Sequence, residues 1–315
     1  MNAKGPCTEG LLSTSHLSSH HGVIVPLVTP ITPDGDLDEP AVRRIVDHVV
    51  AGGVHGVFVL GTTGENTSAP AAMRERLVAV AVEHVGERAT VYAGISSNCL
   101  ADSVAAARAY VRLGVDAVVA HLPTYYALNA EEQLAYFSVL ADRIDLPLVL
   151  YDIPVTTHMT FSIEIVTRLS HHPNIVGIKD SSGDVARLAT LLECLSAARP
   201  DFAVLVGASE LAARGLALGA DGIVPSQGNL IPALCRALFD RAVDRDRDGA
   251  EAHQQRMDVL ARLFVEGRSL AQSLGALKAM MGALGLCGPD VLPPLRPLPL
   301  EEQETLHRRF LAWKG

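Results

Sequence analysis

Short apolar runs alternate with longer stretches of helical period along most of this chain. The first run, Val23-Ile24-Val25-Pro26-Leu27-Val28, is ended by Pro30 and the turn Pro33-Asp34-Gly35. Asp38 and Pro40 then open a segment in which Val42, Ile45, Val46, Val49 and Val50 recur on one helical face, and Gly52-Gly53 close it. The unit repeats. Strands are predicted over 57–60, 90–95, 116–121, 147–151, 174–180, 202–206 and 221–224. Helices are predicted between them over 70–85, 100–113, 163–170, 184–198 and 230–243. Asn129 with Glu132 forms a capping box for one more, and Ser209 is expected to cap another that runs to Leu218.

The strand runs are continuously apolar rather than alternating, as expected of parallel strands covered on both faces. Tyr151 and Lys179 stand 28 positions apart, as do Ile178 and Val206, so the βα repeat is regular. Eight such units predict an α/β fold, a closed (β/α)8 TIM barrel, rather than an open doubly wound sheet. An open sheet would carry a glycine-rich dinucleotide fingerprint after its first strand, where this chain has Pro26-Leu27-Val28-Thr29-Pro30.

Three regions result. Residues 1–22, rich in Ser, His and Gly and lacking an apolar core, are expected to form a flexible tail, with His20 and His21 solvated rather than metal-bound. Residues 23–245 form the catalytic barrel. Residues 246–315 form a C-terminal helical region, with helices over 251–265, 270–284 and 301–312 and a proline-rich stretch over 289–299. The alternating charges of 244–249 are expected to be a solvated helix end.

Composition narrows the function. A net charge of −9 without a basic run argues against nucleic acid or an anionic membrane surface as partner. No apolar run reaches the roughly 18 residues of a membrane-spanning helix. Five scattered cysteines without a C-x-x-C pair suit reduced thiols in a cytoplasmic protein and offer no zinc or disulfide framework.

Candidate chemistry gathers where strands end and βα loops begin. Lys179 closes the buried run 174–180. An ammonium there needs an acid partner or a route to water; without either, the neutral amine required for Schiff-base chemistry with a carbonyl substrate is favoured. Tyr151 ends the neighbouring strand and can move protons if its hydroxyl is tied to a relay, for which Thr62 and Tyr126 are candidates. Thr63 and the backbone of the loop Gly61-Thr62-Thr63-Gly64-Glu65 can hold a carboxylate. Gly207 and Val224 stand at the tips of the last two strands.

Taken with Tyr125-Tyr126, Tyr151-Asp152-Ile153-Pro154 and Gly177-Ile178-Lys179-Asp180, this loop resembles the dihydrodipicolinate synthase / N-acetylneuraminate lyase family of class I aldolases. The resemblance runs from about Val23 to the C-terminus. It implies a pyruvate imine on Lys179, Tyr151 as general acid/base, and Thr62 with Tyr126 as the relay, Tyr126 being donated across a dimer interface. Thr63 and Val224 match positions that bind pyruvate. It further implies a homotetramer or dimer of dimers, two small-molecule partners (a 2-keto acid and an aldehyde acceptor), and no metal or organic cofactor.

One position departs from the pattern. Where dihydrodipicolinate synthases carry an arginine that grips the acceptor carboxylate, this chain has Thr156, and a neutral hydroxyl does not replace a bidentate guanidinium. Asp152 also replaces the usual asparagine. The run His172-Pro173-Asn174 with Lys179-Asp180-Ser181-Ser182-Gly183-Asp184 looks more like 4-hydroxy-2-oxoglutarate and 2-keto-3-deoxy sugar-acid aldolases. Thr156, Thr157, Ser209, Ser226 and Gln227 would suit a hydroxylated acceptor, and His158 is a further candidate for that pocket. The expected activity is therefore a pyruvate-dependent lyase. The alternatives are a dihydrodipicolinate synthase with an altered acceptor site and a non-catalytic sugar-acid-binding relative.

Overall fold

Parity along each strand decides where every side chain of the barrel goes. In the computed structural model, which describes residues 20–314, eight parallel strands close on one another in chain order. They are β1 (Gly22–Pro26), β2 (Gly56–Val59), β3 (Thr90–Gly94), β4 (Ala117–His121), β5 (Leu148–Asp152), β6 (Ile175–Asp180), β7 (Ala203–Val206) and β8 (Gly222–Ile223). The pairs Gly22↔Gly222 and Val23↔Ile223 shut the barrel. Successive residues of a strand point to opposite faces. One set, including Ile24, Phe58, Val119, Val149 and Leu205, therefore packs inside the barrel. The other, including Val25, Val59, Val118, Leu148, Ile178 and Val204, packs outward under the helices. Burying each such side chain contributes about 1.5–3 kcal/mol.

The helical sheath comprises α1 (Glu39–Ala51), α2 (Ala71–Val85), α3 (Leu100–Leu113), α4 (Ala130–Asp142), α5 (Pro154–Thr157), α6 (Ile163–Ser170), α7 (Val185–Ala198), α8 (Ala212–Ala217) and α9 (Pro232–Val243). The C-terminal region adds α10 (Arg247–Val265), α11 (Leu270–Gly282) and α12 (Leu300–Lys314). Asp38 caps α1, and Asn129 and Glu132 form the expected capping box of α4. Asp246 caps α10 through the Gly249 amide, so the charged stretch is a tight joint between two helices.

Some expectations are revised. Ser209 caps no helix; it begins a 3-10 turn, Ser209–Leu211, that leads into α8. The single-turn α5 is not among the predicted helices; Pro154 at its first position fixes φ, and the hydroxyls of Thr156 and Thr157 close it onto the Ile153 carbonyl. Most of the expected tail lies outside the described residues, but its last residues are ordered by contacts. His20 is buried, its Nδ1 3.0 Å from the Tyr92 hydroxyl, and Gly22 already belongs to β1. No helix among the described residues is long and apolar enough to cross a membrane.

Candidate active site

The inward parity that places valines in the barrel also carries three reactive side chains to its carboxyl-terminal mouth. His121, Tyr151 and Lys179 are Cα partners in one row across β4, β5 and β6. Lys179 is 5% exposed, and its Nζ lies 4.0 Å from the centre of the Tyr151 ring and 5.2 Å from that of Phe58. Below it is a small apolar cavity whose walls include Ile24, Phe58, Val149, Leu205 and Val224. None of the ion pairs found among the described residues includes Lys179.

The acids one position along, Asp152 and Asp180, are turned to the other face by parity, and Arg187 of α7 takes both. Its Nη2 is 2.8 Å from Asp152 Oδ2 and its Nε 3.1 Å from Asp180 Oδ2. Among the described residues the lysine thus has no acid partner, unlike an ordinary strand-end ion pair. Gly207 makes room for it. A Cβ at this position would stand 2.9 Å from Lys179 Cε and would collide with Ser181 Oγ.

Tyr151 is joined to Thr62 across the mouth, hydroxyl to hydroxyl at 3.2 Å. The loop that presents Thr62 and Thr63 is tightly folded. Gly64 N donates to Gly61 O at 3.0 Å, Thr29 Oγ1 donates to Gly64 O at 2.6 Å, and the flanking Leu60 and Glu65 hold positive φ values of 59° and 54°. Such left-handed non-glycine residues persist only where surrounding contacts impose them. Here Glu65 supplies those contacts. It is buried, ion-paired to Lys278 of α11, and accepts the Leu292 amide at 2.7 Å.

The remaining candidates divide. Val224 lines the cavity and Thr63 is buried in the loop beside Thr62. Tyr126 does not reach Thr62 within one chain. It stands 72% exposed on the β4–α4 loop, edge-to-face with the 79% exposed Tyr125. The Thr156 hydroxyl is turned back onto Ile153 O at 3.2 Å, and His158 is exposed in the left-handed conformation that ends α5. Gln227 is buried, 3.5 Å from the Ser226 hydroxyl. Among the described residues, no three His, Cys, Asp or Glu side chains come together in a way that could hold a metal ion.

Sequence reasoning missed two features. One is His121, which shares the parity of Val119 and so points inward like Tyr151. The other is the buried Asp152–Arg187–Asp180 group behind the reactive row. Burial pushes the Asp152 carboxyl up to about 6, against the pull of the Thr160 hydroxyl and of Arg187. Counting inward positions along each strand would have found the histidine; the arginine comes from a later helix and has no local signal.

Fold and mouth together define a barrel enzyme with a buried lysine beside a phenol. The model of the Dihydrodipicolinate synthetase family matches residues 19–312. A 4-hydroxy-tetrahydrodipicolinate synthase of Stenotrophomonas maltophilia is 34% identical over 277 residues, covering 88% of this chain and 91% of that one. An uncharacterized DapA-like lyase of Halobacterium salinarum is 32% identical, covering 91% of each chain. Among solved structures, a prophage protein of the dihydrodipicolinic acid synthase family from E. coli K12, in complex with pyruvate, superposes with a TM-score of 0.89 at 27% identity. The match covers 94% of this chain and 99% of that one. The chain belongs to the Dihydrodipicolinate synthetase family and is a lyase of that family.

Proposed function

We propose that this lyase is a pyruvate-dependent Schiff-base aldolase that cleaves or makes the C–C bond of a 2-keto-3-deoxy sugar acid or of 4-hydroxy-2-oxoglutarate. The observation that carries this reading is Lys179, buried without an acid partner among the described residues and in register with the Tyr151–Thr62 pair. Its Nζ attacks the ketone carbon, and the carbonyl oxygen leaves as water. The resulting imine draws the electrons of the adjacent C–C bond as it breaks, and returns them when the bond is made. No cofactor is needed, because the imine nitrogen is the electron sink. Tyr151 gives and takes the protons of these steps, with Thr62 passing them on. Tyr126 of a second copy completes the relay, so the active unit is a dimer or a dimer of dimers. Thr63 and neighbouring loop amides hold the pyruvate carboxylate, with Val224 and Gly207 shaping the space around the imine. Thr156 lies on the acceptor side.

Pyruvate with borohydride should leave a reduced adduct on Lys179, read by peptide mass. An unlabelled wild type, or equal labelling of the Lys179→Ala variant, would refute the assignment. The second reading is synthesis of 4-hydroxy-tetrahydrodipicolinate, favoured by the name of a relative 34% identical to this chain. It predicts condensation of pyruvate with aspartate semialdehyde. Thr156, which offers no cation for the semialdehyde carboxylate, weighs against it.

A further inference from the structure

His121 closes β4 and has no part in the reaction steps above. Its backbone amide donates to Ser96 Oγ at 2.9 Å, and its Nδ1 lies 2.7 Å from Leu122 O. A carbonyl oxygen only accepts, so Nδ1 carries the proton and Nε2 is left with a lone pair. The ring stands edge-on to Tyr151, the centroids 6.2 Å apart. Burial keeps the imidazole below its usual range, the Leu122 carbonyl opposes this, and Lys179 pushes the same way as burial. The ring sits in the inward row, 9% exposed, its neutral form favoured by burial, and its Nε2 bonds to no described residue. In the neutral ring that nitrogen is a hydrogen-bond acceptor, carried on the inward face of β4.

A bare acceptor discriminates between acceptor substrates. It welcomes a hydroxyl donor and repels a carboxylate, which has lone pairs only. The rest of the row agrees, since Arg187, the cation behind Tyr151 and Lys179, is already committed to two carboxylates. Two strand spacings, roughly 10 Å, separate the backbones of His121 and Lys179. The side chains of Lys179 and His121 both reach into that gap, so the hydroxylated end of a 2-keto-3-deoxy sugar acid held at carbon 2 by Lys179 has only the remainder to cross.

We infer that His121 is a specificity residue whose Nε2 accepts a hydrogen bond from a hydroxyl beyond carbon 4 on the aldehyde half of the substrate, a group that 2-keto-3-deoxy sugar acids carry and 4-hydroxy-2-oxoglutarate, with a carboxylate there, lacks. This deepens the proposed function and rests on it. The test measures two things in wild type, His121→Phe and His121→Gln. One is borohydride trapping of pyruvate on Lys179; the other is kcat/KM for cleavage of 2-keto-3-deoxygluconate and of 4-hydroxy-2-oxoglutarate. Wild type should prefer the sugar acid. His121→Phe, which deletes the acceptor, should lower kcat/KM on the sugar acid by about 10-fold or more. Trapping and cleavage of the dicarboxylate should fall far less. His121→Gln, with an amide oxygen in reach, should recover part of the loss. Unchanged sugar-acid cleavage in His121→Phe overturns the inference, as does a fall shared equally by trapping and both substrates. A wild type that traps no pyruvate refutes the Schiff-base reading and this inference with it; normal trapping with no sugar-acid preference refutes this inference alone.

Discussion

At the scale of single residues, Asp152 shows how the wall behind the site is balanced. Its carboxylate is buried and bonded on one oxygen by Thr160 and Arg187, yet burial outweighs them and raises it from 3.8 to about 6. The folded protein therefore holds this proton more firmly than the unfolded chain does. The sign follows directly. Below about pH 4 both states are protonated and nothing is lost; as pH rises through about 6 the folded state becomes progressively less stable relative to the unfolded one. The full contribution is up to about 3 kcal/mol. Asp152→Asn cannot ionise, so its stability relative to wild type should increase from pH 4 to pH 7.5. Thermal unfolding at both pH values checks this, and a difference that does not change with pH would count against it.

Among elements, the connection that matters most joins the loop after β2 to α11. Glu65 ends the Thr62–Thr63 loop, and Lys278 is fully buried within the C-terminal helical region, bonded both to Glu65 and, at 2.6 Å, to Asp290 O. The C-terminal helices thus fix the position of the two threonines rather than merely covering the barrel. Removing one member of such a pair leaves a buried charge without its partner, at a cost on the order of 3–5 kcal/mol. Lys278→Met should lower the melting temperature and raise KM for pyruvate by freeing the loop. The Glu65→Gln/Lys278→Met double variant, with no charge left over, should recover much of the stability. If the double variant is as unstable as the single one, the ion pair is not what holds the loop.

For the molecule as a whole, Tyr126 stands exposed beside Tyr125, while the Thr62 hydroxyl is paired with Tyr151. Two tyrosines so exposed at one loop tip suit burial against another copy of the chain. The proposal of a shared site makes a clear prediction. Lys179→Ala and Tyr126→Phe should each be poorly active alone, and mixing them should restore activity, because hybrid dimers contain sites with an intact lysine and the other subunit's tyrosine. Activity that never rises above the sum of the two variants, although subunits exchange, would mean the tyrosine does not act in trans.

Much of this architecture is written locally in the chain. The strand runs, the helix over 100–113 and the capping box at Asn129 are legible because burial on two faces, a 3.6-residue period and orphan amides at a helix start all act within a few residues. Lys179 and Tyr151 were legible as candidates for the same reason, each being a polar group at the end of an apolar strand, and the structure places them side by side. The fate of His20, Glu65, His121 and Arg187 was not. His20 meets Tyr92, Glu65 meets Lys278, and Arg187 meets Asp152, partners 72, 213 and 35 positions away. The sequence by itself determined which elements form and which of them end in reactive groups. Only the tertiary structure decided that, among the described residues, Lys179 has no acid partner, because Arg187 of a later helix takes up both Asp152 and Asp180 on the outward face.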